Sequence, residues 1–235
     1  MKVMCLSGKR LKYTCKSYLL LGSWNSLQDI NTLIDVGTDG SVITEIEKIN
    51  TGAGKRPVEQ IIITREHFEH AGGMEKMKSW CDAKIYAYKK FYGVDEVLRG
   101  GQTLRIGDRE FEVIHVAGHS SDSICLYCKE GEILFSGDTP LRIMTAGGSY
   151  SVDFIDALEK LMRCNIKTVY PGHEKPIQGK AKDLILMRSL VVLHVTLATR
   201  LLERLFTDCH VALLMTFSIR PTLMNAKDRV AAGCA

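Results

Sequence analysis

Apolar residues fall along this 235-residue chain in two alternating rhythms. Short apolar runs at Met1–Leu6, Ser17–Leu21 and Thr32–Val36 predict three sequential strands at the start. Val42, Ile43, Ile46 and Ile49 then recur at helical spacing, which predicts a helix over Ser41–Asn50. The run Val58–Thr64, with three consecutive isoleucines, fits a buried strand. Gly72-Gly73 lets the chain turn closely into a helix over Met74–Trp80.

The second half follows the same plan. Lys84–Tyr88, Gln102–Arg105, Glu110–Val116, Ile124–Cys128 and Glu132–Ser136 read as strands. Ser151 is placed to cap a helix over Val152–Met162, with Phe154, Leu158 and Leu161 on one face. Thr168–Tyr170 is a last short strand, and Lys180–Phe206 is a long helical pattern. No linker or tandem repeat interrupts residues 1–235, so a single α/β domain is expected, with strands between outer helices. Leu184–Leu205 is apolar nearly all round. The tail 180–235 is therefore expected to pack into the same domain or to offer a homodimer face over 184–206.

Composition narrows the classes. Apolar content of 46% and charge of 25% are ordinary for a globular protein. A net charge of +4 is too mild to point to nucleic acid. The most apolar stretch outside the strands, Ser189–Thr199, lies between Arg188 and Arg200. It falls well short of the roughly 20 residues that span a bilayer. Met1–Ser7 carries no long apolar run, so a cytoplasmic location without membrane contact is expected. Eight cysteines raise the prospect of disulfides or zinc, but six are scattered singly. Cys125 and Cys128 lie three apart within one strand, hence on opposite faces. Reduced, mostly buried thiols are the expectation.

Six metal-liganding side chains stand out against this frame. His67, Glu69 and His70 follow the strand Val58–Thr64; His119, Asp138 and His173 follow three later strands. All lie just past the C-terminal end of a strand, where loops on a rigid scaffold gather functional groups. Imidazoles with carboxylates suit a borderline-soft divalent or ferrous ion. His115, His194 and His210 lie outside the pattern and read as structural.

The motifs around these residues resemble a known family. Thr64-Arg65-Glu66-His67-Phe68-Glu69-His70-Ala71-Gly72-Gly73 is similar to T-H-x-H-x-D-H-x-G-G, the first motif of the metallo-β-lactamase fold hydrolases. Gly118-His119-Ser120, Ser136-Gly137-Asp138 and Pro171-Gly172-His173 match the remaining motifs. The glyoxalase II-like and flavodiiron branches are included in the likeness. It implies a four-layer αββα sandwich holding one or two divalent ions, zinc foremost, with iron or manganese as alternatives. It further implies a small-molecule substrate: an ester, thioester, lactone or amide attacked by metal-bound hydroxide. One implied metal site uses His67 and His119 with Asp138 bridging; the other uses Glu69, His70, His173 and Asp138. Asp138 would also hold the nucleophile. Asp35, in Leu33-Ile34-Asp35-Val36-Gly37, matches an acid that orients the first motif. The loop Leu141–Tyr150 is either a substrate lid or an ordinary surface loop. The alternatives are a diiron redox protein binding oxygen or nitric oxide, a nuclease, and a non-catalytic relative.

Two positions depart from the motif. Glu69 replaces aspartate and keeps the carboxylate one methylene further out. Arg65 replaces the first histidine, and a guanidinium offers no lone pair to a metal. Three arrangements of Arg65 are open. Its guanidinium takes the place of the first metal and pairs with Asp138 or Glu69; it swings out and leaves a weak first site; or the site is degenerate.

Overall fold

The computed structural model describes residues 1–6, 14–117, 119–139 and 152–179, together with Ala181 and Ile185. All belong to one compact unit, Met1–Met144 with Tyr150–Leu190. The tail beyond residue 185, the loop Leu141–Tyr150, Ser151, His194 and His210 lie outside the described residues.

Twelve strands are described, in two sheets. The first sheet holds β1 (Lys2–Leu6), β2 (Ser17–Leu21), β3 (Thr32–Ile34), β4 (Gln60–Ile63), β5 (Lys84–Ala87) and β6 (Glu96–Val97), in that order. β1 to β3 are antiparallel, and β3 to β6 are parallel. The second sheet runs β12-β11-β10-β9-β8-β7. Its strands are β7 (Thr103–Ile106), β8 (Arg109–His115), β9 (Ile124–Cys128), β10 (Ile133–Gly137), β11 (Thr168–Pro171) and β12 (Ile177–Gln178). Only the pair β10 and β11 is parallel there. The helices are α1 (Val42–Ile46), α2 (Phe68–Ala71), α3 (Met74–Cys81) and α4 (Val152–Arg163).

The two-residue period of the strands builds the layers. Leu19, Leu21, Leu33, Ile61 and Ile63 pack with Val42 and Ile46 of α1 and with Met74 and Met77 of α3. The alternate residues Tyr18, Leu20, Ile34 and Ile62 meet Phe111, Val113, Leu126 and Phe135 of the second sheet. Strands buried on both faces need apolar residues at every position, which is why their alternation was invisible in sequence. Phe154, Leu158 and Leu161 of α4 are buried as their spacing predicts. The expected αββα order is the one observed.

Differences from the expected boundaries have local causes. β3 stops at Ile34 because Asp35 adopts a left-handed backbone with φ of 56°. The helix expected to Asn50 ends at Ile46, and the chain continues in tighter turns, with Ile49 N–H donating to Ile46 O. The loop expected to hold His70 is instead the short helix α2. β6 and β12, two residues each, are too short to carry a periodic signal. Cys128 lies in the core between the sheets, whereas the Cys125 thiol meets Thr139 Oγ1 at 3.2 Å, so the two cysteines do face apart. His115 stacks on Tyr88 with ring centroids 3.9 Å apart.

Tyr18 ties the sheets together beside the motif loops. Its ring meets Phe135 and Tyr170 edge-on, and its hydroxyl donates to Pro171 O at 2.7 Å. Burial pushes the phenol well above its usual range, so it stays a donor. Tyr18→Phe should cost about 1–3 kcal/mol, because it leaves the Pro171 carbonyl without its donor. Chemical denaturation measures this; an unchanged unfolding midpoint would show that the bond carries no weight.

Candidate metal centre

The site grows from the end of β4. Asp35 lies on the neighbouring strand end, and its carboxylate accepts from Thr64 N–H at 2.8 Å and from Thr64 Oγ1–H at 2.8 Å. The same carboxylate lies 2.8 Å from His70 Nδ1. An aspartate in the left-handed region is a strained choice, and here the strain aims one side chain at three partners. From Thr64 the chain passes through Arg65 into α2, whose single turn brings Glu69 and His70 back over the strand end. Asp138 and His173 come from the ends of β10 and β11 on the facing sheet.

Close approach here depends on two glycines. A Cβ on Gly172 would lie 2.3 Å from Asp138 Oδ1 and 3.1 Å from His70 Cε1. Gly137 has φ of +50°, and a Cβ there would press on Thr64 Oγ1 at 2.8 Å. Any side chain at either position would push the two sheet ends apart.

The ligand-capable atoms of Glu69, His70, Asp138 and His173 all lie within 4.8 Å of one another. His173 Nε2 is 3.0 Å from Asp138 Oδ2, and His70 Nε2 is 3.3 Å from the same oxygen. His70 Nε2 and Asp138 Oδ1 are buried without a well-aligned hydrogen bond. With Asp35 on Nδ1, His70 presents Nε2 toward Asp138, which is the orientation a liganding imidazole needs. Donor set, spacing and orphaned atoms all fit a divalent ion.

Arg65 sits within this group. It is 4% exposed, and its Nη2 pairs with Glu69 Oε1 and, at 2.5 Å, with Asp138 Oδ2. Of the three arrangements open to it, this is the paired one. His67 and His119 are nearby but separate. Their ring centroids are 5.7 Å apart, and His67 Nδ1 is 3.5 Å from Glu69 Oε1. Both are exposed, and among the described residues neither joins a metal-capable cluster. Asp35, His70 and Cys15 form a second buried group. The Cys15 thiol gave no signal in sequence, since an isolated cysteine carries no spacing motif.

Charge organises the centre. Burial works against a charged His70, but the Asp35 and Asp138 carboxylates outweigh it and push its pKa up to about 12. Burial likewise opposes the Asp138 charge, but His173 and His70 hold it well below the usual carboxylate range. Burial also resists the Glu69 charge; its own backbone N–H and Arg65 lower it. Burial and then Arg65 lower His119.

Comparison with known proteins places this geometry. The family model described as the metallo-beta-lactamase superfamily matches residues 17–94 and 86–173. The chain belongs to that superfamily. It is 28% identical over 185 residues to an atrochrysone carboxyl ACP thioesterase of Aspergillus fumigatus, covering 73% of this chain and 44% of that protein. It is also 28% identical over 154 residues to a probable hydroxyacylglutathione hydrolase of Schizosaccharomyces pombe, covering 62% and 59%. The chain thus spans about half the length of the curated relatives it matches. Among solved structures, the chemotaxis sensor ODP in its peroxy diiron state superposes with a TM-score of 0.62. That likeness, at 17% identity over 80% of this chain and 90% of the other, shows the fold. No helix among the described residues is long and apolar enough to cross a membrane.

The raised His70 pKa makes a prediction about metal loading. A group whose folded pKa is raised stabilises the metal-free fold fully below its unfolded value near 6.5. That contribution is lost only as pH rises through about 12. At pH 8 the ring is therefore still protonated, and a metal must displace the proton. Binding should release about one proton from His70 per ion at pH 8, where an unperturbed imidazole would release almost none. Calorimetry in buffers of different ionisation enthalpy counts it; a count near zero would contradict the charged His70.

Proposed function

We propose that this protein is a metal-dependent hydrolase that works with a single divalent ion, acting on an ester or thioester and, by the same chemistry, a lactone or amide. The observation that carries the reading is the buried Arg65 guanidinium, paired with both Glu69 and Asp138. It supplies a fixed positive charge where a two-metal centre would use a second cation. Asp35, Glu69 and Asp138 bring three negative charges, and Arg65 removes one. Two remain, which one divalent ion neutralises and two would overshoot. Curated relatives named as a thioesterase and as a probable hydroxyacylglutathione hydrolase support the reaction class.

Glu69, His70, Asp138 and His173 are the residues that would hold the ion. Bound there, a divalent ion supplies Lewis acidity toward a carbonyl oxygen and makes nearby water more acidic. The protein's own groups do the rest. Asp35 keeps the Nδ1 proton of His70 and so fixes the ring. Asp138 aligns the attacking water. Arg65, held rigidly, favours the negative charge that develops on the carbonyl oxygen. His67 and His119 are exposed beside this cluster, where a substrate could meet them. A redox role with paired irons would need the space that Arg65 occupies. The metal's identity, zinc foremost, is part of the proposal, as are a small-molecule substrate, a cytoplasmic location and a homodimer contact through 184–206.

The test is hydrolysis of a panel of esters, thioesters, lactones and amides at saturating metal. Asp138→Ala should abolish turnover, whereas His67→Ala should leave measurable activity. The losses should not add in the double variant, because groups that act as a unit do not contribute independently. If His67→Ala is as inactive as Asp138→Ala, both implied metal sites take part. If the metal-loaded protein hydrolyses nothing in the panel, the redox or binding alternatives take precedence.

A further inference from the structure

The segment after β8 docks on the first motif through two backbone contacts that bracket a single residue. Ile124 N–H donates to Thr64 O at 3.0 Å. Two residues earlier, Asp122 Oδ2 accepts from Glu66 N–H at 2.6 Å. The peptide groups on either side of Arg65 are therefore both held by residues 122–124. Asp122 is 6% exposed, so its carboxylate meets that backbone donor largely away from solvent. A charged acceptor on a buried N–H is among the stronger hydrogen bonds available.

The loop that carries Asp122 is itself braced. Val116 N–H donates to Ser123 O at 2.9 Å, and the Ser120 and Ser123 hydroxyls meet at 2.6 Å. His115 Nε2 lies 3.1 Å from Ser121 O, with the His115 ring stacked on Tyr88. Lys89 Nζ donates to Ser121 Oγ. These contacts make the loop a stiff support rather than a tether.

We infer that Asp122 is a positioning residue for the metal centre: by fixing the Arg65–Glu66 peptide it holds the Arg65 guanidinium in the place of a second metal ion. The inference rests on the single-ion reading above. The Arg65 side chain starts from a backbone fixed on both sides, and its head is fixed at the far end by two carboxylates. With Glu66 N–H secured, the guanidinium reaches Glu69 Oε1 and Asp138 Oδ2 together. With that bond lost, the peptide can rotate, and two of the four ligand carboxylates and imidazoles lose the cation that sets their orientation.

The experiment is a titration with Co²⁺, followed by its visible absorbance, on the full chain with and without substitutions. Asp122→Ala should weaken Co²⁺ binding by about 10-fold or more, in the range seen when a group that orients metal ligands is removed. Asp122→Asn keeps a carbonyl acceptor at the same reach and should restore most of that affinity. In an Arg65→Met background the effect of Asp122→Ala should shrink markedly, because the two residues act through one another. Should Asp122→Ala fail to fold, Asp122→Ser removes the same reach while keeping a polar group. A drop in thermal stability with unchanged Co²⁺ affinity would overturn the inference. So would an equal loss in the Arg65→Met background. A parent protein that binds no Co²⁺ at all would remove the single-ion reading and this inference with it; normal binding in the parent and in Asp122→Ala would remove only the inference.

Discussion

The centre depends on one buried cation between two carboxylates. Arg65 reaches Asp138 and Glu69 from inside the cluster, with its own side chain 4% exposed. Removing one partner of a buried ion pair costs roughly 3–5 kcal/mol, because the other charge is left uncompensated. That constraint orders the rest. Burial opposes the Asp138 charge, the imidazoles of His173 and His70 hold it far below its usual pKa, and Arg65 is a further cation on the same carboxylate. In the metal-free protein the charged His70 and Arg65 together do the electrostatic work that an ion would share.

The scaffold makes this crowding tolerable. Four strand ends converge from two sheets, and the polar groups are packed where Gly137 and Gly172 leave no side chain of their own. Asp35 absorbs backbone strain in exchange for contacts to Thr64 and His70. Tyr18 clamps the sheets beside Pro171, directly before the Gly172-His173 turn. Large apolar side chains between the sheets hold these ends in register, so the site is positioned by the core rather than by its own weak contacts.

Much of this was legible in the chain, and what was not has a physical reason. The strand Ile124–Cys128 follows from its short apolar run, and the strand Lys84–Ala87 and the helix face Phe154, Leu158, Leu161 follow from periodicity. The candidate ligands could be found because each follows a strand in a short run that holds or ends in glycine or proline, a local signal. The side of the departure at Arg65 could also be foreseen, since a guanidinium cannot ligate. Which of its arrangements holds depends on whether Asp138, 73 positions later, lies within reach, and no local pattern encodes that. Asp122 and Cys15 were invisible for the same reason. Their roles arise from contacts across the fold, with Glu66 N–H in one case and with Asp35 and His70 in the other. The short helix α2 was hidden because a single turn has no periodicity to read.

The central claim is that Arg65 stands in for a metal ion, and metal stoichiometry tests it most directly. Protein purified without added metal, reloaded with excess Zn²⁺ and freed of unbound ions, should hold one ion per chain by elemental analysis. Arg65→His should raise this toward two. Two ions per chain in the unmodified protein, unchanged by Arg65→His, would contradict the account.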